Sequence, residues 1–260
     1  MPTFKKSEAD QIILELYERF HRPEFLVWDP LCVVRSQRAE DQEWIALLAA
    51  LFAFGGVKQI IASVNAVLKR LDGNFERLDE KLEGFKHRIY VGADVAAILR
   101  LYQISRSKYG LLRDHFLSHH RPDEPTIEAA LTGVIADYKT WTKSENLRTG
   151  SHFKHLLNSP ADGGACKRWL MYLKWMIRAD DGIDLGLWTG STMRADQLVI
   201  PLDVHLFRIS RRLGLTRLKS ANWKSAVQVT TALTRLDRAD PTKYDFSLCR
   251  YGMLNVRGLI

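Results

Sequence analysis

No stretch of this chain alternates apolar and polar residues for long enough to make a half-buried β-strand. Apolar side chains recur instead three and four positions apart, the spacing that puts them on one face of a helix. Ile12, Ile13, Leu16, Tyr17 and Phe20 form one such stripe behind a cap at Ser7. Residues 44–54 are apolar on nearly every side, which predicts a central, fully buried helix, and the run stops at Gly55-Gly56. Further helices are expected over 57–71, 94–109, 127–138, 151–157, 165–178, 203–213, 220–236 and 244–253. The expected fold class is therefore all-α. At 260 residues and 46% hydrophobic content the chain can bury a core in one large or two small domains, which excludes a disordered tail or a fibrous repeat.

Several function classes drop out. The three cysteines, Cys32, Cys166 and Cys249, are too scattered for a disulfide framework or a Cys-x-x-Cys zinc pair. The first ten residues lack the apolar core of a signal peptide, and the longest apolar run falls short of the about 18–20 residues that a membrane span needs. No membrane association is expected, and a reducing cytoplasm is the expected location. No Gly-x-Gly-x-x-Gly or P-loop pattern is present, so a nucleotide cofactor is not expected. His115 and His119 are spaced i, i+4, but no third ligand has motif spacing, so no metal is expected. Residues 180–199, rich in Gly and Asp, predict a solvated insertion carrying Asp180, Asp181, Asp184 and Asp196.

The net charge of +8 becomes informative because it is localised. Residues 204–236 contain no Asp or Glu, and they hold Arg208, Arg211, Arg212, Arg217, Lys219, Lys224 and Arg235. At the head of this stretch stands Pro201-Leu202-Asp203-Val204-His205-Leu206-Phe207-Arg208-Ile209-Ser210-Arg211-Arg212-Leu213-Gly214-Leu215. Asp203 has the position of an N-cap, Leu206, Ile209 and Leu213 make a buried stripe, and Gly214 is a stop. His205, Arg208 and Arg212 share one exposed face. On the residues alone, a capped helix with a solvated basic face explains this pattern as well as a functional site does.

The pattern Pro-x-Asp-x-His-hydrophobic-x-Arg-hydrophobic-x-x-Arg-Leu-Gly-Leu resembles the helix-hairpin-helix DNA glycosylase superfamily, which includes endonuclease III. The resemblance implies that Asp203 is the catalytic carboxylate at the cap of its helix, with His205, Arg208, Arg211 and Arg212 toward DNA. Upstream, Gly163-Gly164-Ala165-Cys166-Lys167-Arg168-Trp169-Leu170 resembles the superfamily's hairpin and following helix. In bifunctional members a Lys after the hairpin glycines attacks the sugar, which makes Lys167 the candidate nucleophile and Gly163, Gly164 and Arg168 DNA-binding candidates. The usual Leu-Pro-Gly-x-Gly hairpin is absent, and Asp203 follows Lys167 by 36 positions, longer than in endonuclease III. Archaeal 8-oxoguanine glycosylases show a similarly divergent hairpin and long spacing. Chain-wide, the sequence also resembles a bacterial family of conserved hypothetical proteins with similar Ala-Cys-Lys-Arg and Ile-Pro-Leu-Asp segments.

The resemblance implies a two-lobed fold. Residues 40–178 would form a six-helix barrel ending in the Lys helix, and residues 1–39 with 179–260 a terminal lobe carrying the Asp helix. Phe54 or Gln59 would fill the gap left by a flipped base, and Trp169 would line its pocket; a core role is equally open to Phe54 and Trp169. The backbone N–H groups of Gly163 and Gly164 would bind phosphate. The implied activity is base-excision glycosylase and AP lyase on damaged duplex DNA, with 8-oxoguanine as one candidate lesion. A monomer without cofactor is expected, and with Cys249 alone after the Asp helix no iron–sulfur cluster is implied. The alternative is a non-catalytic DNA- or RNA-binding protein of the same fold.

Overall fold

The computed structural model describes residues 4–254, which are predominantly helical. In chain order the helices are α1 (Lys6–Phe20), α2 (Leu31–Arg35), α3 (Ala39–Leu51), α4 (Val57–Leu71), α5 (Leu78–Lys81), α6 (Gly92–Tyr109), α7 (Leu112–His119), α8 (Glu128–Ser144), α9 (Lys167–Ile177), α10 (Val204–Arg212), α11 (Trp223–Leu233) and α12 (Asp245–Leu254). Short 3₁₀ turns join several of them, including Phe153–Leu157 where the sequence predicts a helix. The strands β1 (Lys86–His87) and β2 (Tyr90–Val91) pair antiparallel. Two residues per strand are too few to write an alternating pattern, so this hairpin leaves no trace in the sequence. Among the described residues no helix is long and apolar enough to cross a membrane.

The chain divides into two compact units. One comprises Trp28–Pro122 and Glu128–Ser159. Its centre is α3, in which every side chain from Trp44 to Leu51 is buried, as its all-round apolar sequence requires. Helices α2, α4 and α6 pack on α3, and α7 packs on α6 and α8. Helix α4 buries only the stripe Ile60, Val64, Val67 and Leu71 and leaves its other face to water. Buried Asp94 is satisfied at both oxygens, accepting from Val91 N–H at 2.9 Å and Gly150 N–H at 2.7 Å.

The other unit takes the described residues up to Val27, Asp123–Ile127 and those from Pro160 onward. It therefore holds α9 together with α10, whereas the sequence reading divides the chain at 178 and separates them. Within this unit α12 packs on both α1 and α10. Residues 180–199 are not the solvated insertion the sequence suggests. Ile183, Leu185, Trp188 and Met193 are buried, and so is Asp184. The Asp184 carboxylate accepts from Lys174 Nζ at 2.9 and 3.1 Å and pairs with Arg178. Arg178 also reaches Asp240 at 2.8 Å and Asp181 at 3.0 Å, and Asp181 lies 2.8 Å from His21 Nε2. This network ties α9 to the end of α1 and to Asp240, just before the 3₁₀ turn at Pro241–Tyr244, which is what buried charge needs to be tolerated at all.

Candidate active site

Asp203 caps α10, with Oδ1 accepting from Leu206 N–H at 2.7 Å. The helix then runs with Leu206, Phe207 and Ile209 buried. It ends in a Schellman motif. Gly214, at φ +68°, lets Leu215 N–H reach Ser210 O at 2.8 Å while its own N–H reaches Arg211 O at 3.3 Å. The cap uses one carboxylate oxygen, and the other faces Lys167: Oδ2 lies 3.7 Å from Nζ. Lys167 is the first residue of α9. The Lys and Asp side chains keep 31% and 19% of their surface exposed, so the pair is partly shielded yet open to a ligand.

The pair has a charged floor. Lys174, two turns along α9, lies buried 3.6 Å from Asp245 Oδ2 at the start of α12. Burial works against the Lys174 charge, but Asp184 and Asp245 raise its pKa. Burial pushes the Asp245 carboxyl up to about 6, with Lys174 and Lys167 opposing and Asp184 and Asp203 reinforcing. Desolvation, reinforced by Asp203 and Asp245, pushes the half-buried Cys249 thiol up to about 12, so it stays protonated at neutral pH.

The basic stretch presents a face. His205, Arg208, Arg211, Arg212, Arg217, Lys219 and Lys224 are exposed, with no acidic partner for these arginines and lysines among the described residues. Arg235 differs: it pairs with Asp10 on α1 at 2.5 Å. The Gly163-Gly164 turn follows a 3₁₀ turn at Pro160–Asp162 rather than a helix. Of the two backbone donors that the sequence suggests for phosphate, Gly163 N–H is already engaged, donating to Pro160 O at 2.8 Å. The Gly163 carbonyl accepts from Trp223 N–H at 3.3 Å, which fixes the turn to α11. The N-terminus of α9 directly after it has no side-chain cap.

Residues 29–254 match the family described as a protein of unknown function, DUF2400. The chain belongs to this family. No curated protein and no solved structure matches it. In this DUF2400 protein the remaining sequence candidates fall into two groups. Phe54, in the turn between α3 and α4, and Gln59, in the first turn of α4, are exposed, and the Phe54 ring, 43% exposed, carries the Arg88 guanidinium 5.0 Å from its centre. Phe54 is thus not core. Trp169 is: it is 1% exposed and meets Tyr172 edge-on, so it is closed to a base in this structure. Arg168 is half-buried beside it.

Lys174 and Asp245 have no counterpart in the sequence reading, which names Asp184 only as a solvated acid of the 180–199 insertion. Lys174 lies on the strongly apolar face of α9, and a lysine on a buried stripe is the one available signal that an acid must come to meet it.

Proposed function

We propose that this protein is a DNA glycosylase with AP-lyase activity, built on a two-lobed helix-hairpin-helix fold and acting on a damaged base in duplex DNA. The observation that carries the reading is the approach of Lys167 Nζ to Asp203 Oδ2 at 3.7 Å, at the starts of two helices and beside the exposed basic face. The resemblance named these two residues as nucleophile and carboxylate from segments 36 positions apart.

The chemistry follows from the pair. As the bond from C1′ to the base breaks, positive charge grows on the sugar, and the free oxygen of Asp203 stabilises it. The base leaves with the bonding electrons and takes up a proton. Lys167, as the free amine, forms a bond to C1′, and Asp203 is the group within reach to accept the proton it loses. Ring opening gives a protonated Schiff base. Loss of a C2′ proton then expels the 3′ phosphate, and water releases the lysine. Arg208, Arg211 and Arg212 meet backbone phosphates, as does the uncapped start of α9.

Borohydride trapping on duplexes carrying a panel of damaged bases, 8-oxoguanine among them, tests this. A covalent adduct is expected with the native chain and none with Lys167→Gln, while Asp203→Asn slows base release by a hundredfold or more. If no duplex gives a Lys167-dependent adduct or Asp203-dependent release, the enzyme reading fails. Salt-sensitive DNA binding surviving in that case assigns the chain to non-catalytic recognition.

A further inference from the structure

Helices α7 and α8 bring together three groups that the proposed repair chemistry does not use. His115 and His119 stand one turn apart on α7, and Asp137 faces them from α8. His115 Nε2 lies 3.0 Å and His119 Nε2 2.9 Å from the same oxygen, Asp137 Oδ2. One ligand atom from each residue lies within 4.8 Å of the others. We propose that His115, His119 and Asp137 form a binding site for a divalent cation of the zinc class.

The geometry is near what such an ion demands. Bonds of about 2.0–2.1 Å in a tetrahedral shell place neighbouring ligand atoms about 3.3 Å apart. The observed 2.9 and 3.0 Å from Asp137 to the two imidazoles fall a few tenths of an ångström short of this, and the two imidazole nitrogens lie within 4.8 Å of each other. Two imidazoles and one carboxylate are a donor set suited to zinc, with a fourth position for water.

The surroundings are built for ligation. To bind through Nε2, a histidine must carry its proton on Nδ1, and that proton needs an acceptor. His115 Nδ1 lies 3.0 Å from Ser105 Oγ, whose one proton has Leu101 O and Tyr138 Oη as acceptors, each at 3.1 Å; donated to either, it leaves a lone pair for His115. Tyr109 and Trp141 stack on either side of the His115 ring, at 4.4 and 5.0 Å between centroids, and hold its plane. His119 packs directly against α8 at Gly133, where no side chain intervenes. A Cβ there would sit 2.2 Å from His119 Cγ. His115 is sealed inside, while the side chains of His119 and Asp137 are 32% and 30% exposed, so an ion has an entry path.

The test uses the untagged full chain, stripped with chelator and titrated with Zn²⁺ alone by calorimetry, with Co²⁺ as a spectroscopic probe. One equivalent is expected, with a visible Co²⁺ band and a raised melting temperature. His119→Ala and Asp137→Ala, each at a partly exposed position, are expected to weaken binding at least tenfold. Circular dichroism reports whether each variant folds. Absence of stoichiometric binding by the native chain overturns the proposal by itself, and so does full affinity in either folded variant. In either case the three groups are a hydrogen-bonded helix clamp. The outcome is independent of the glycosylase assay.

Discussion

Asp245 lies in the first turn of α12, 3.6 Å from Lys174 and within the field of Lys167 and Asp203, and its burial raises its pKa to about 6. An unfolded aspartate titrates near about 3.9, so the folded state binds this proton more tightly than the unfolded one. The stability it contributes is complete below about pH 4 and is lost as pH rises through 6. Asp245→Asn removes that dependence. The variant should gain on the native chain between pH 4 and pH 7 by up to about 3 kcal/mol, read from urea melts at both values. An unchanged difference between the two pH values would contradict the assignment. Asp181 works in the opposite direction. Burial penalises it, but His21, Arg178 and the backbone N–H groups of Asp184 and Ile183 hold its carboxyl well below the ordinary range. Its stabilisation is therefore present above about pH 4 and lost only on acidification.

At the scale of one element, α10 shows a residue with two separable duties. Asp203 Oδ1 caps the helix and Oδ2 faces Lys167. Asparagine caps as well as aspartate does, so Asp203→Asn should keep thermal stability within a few tenths of a kcal/mol while removing the charge. Asp203→Ala should lose about 1 kcal/mol as well. A variant pair with equal melting temperatures would show that the cap is not stabilising. At the other end, Gly214→Ala places a side chain in the left-handed region and should cost about 1 kcal/mol in the same assay. Cap, buried stripe and stop of α10 were all legible in the sequence, because each depends on residues within one turn of its neighbour. Helix α7 was not legible as part of a site. His115 and His119 carry the right spacing, but Asp137 arrives from the next helix, 22 and 18 positions away, with no spacing rule to announce it.

For the whole molecule, the burial of α3 and the exposure of the basic stretch make separate predictions. Leu47 is enclosed at the centre of its unit, and Leu47→Ala should cost about 2–5 kcal/mol in a denaturant titration. Binding to duplex DNA should weaken linearly in the logarithm of salt concentration. Arg208→Gln, Arg211→Gln and Arg212→Gln should each reduce the slope by about 0.9 if each meets a phosphate. A slope unchanged in all three would move the DNA to another face. Helical content, the buried character of α3 and the basic, acid-free run were settled at the level of the chain, since each is a matter of which side chains stand three or four positions apart. That Lys167 meets Asp203, that Lys174 is neutralised by Asp184 and Asp245, and that Trp169 is core rather than pocket came only with tertiary structure. Each of these turns on an ångström-scale distance between segments tens of residues apart, and local periodicity carries no information about such distances.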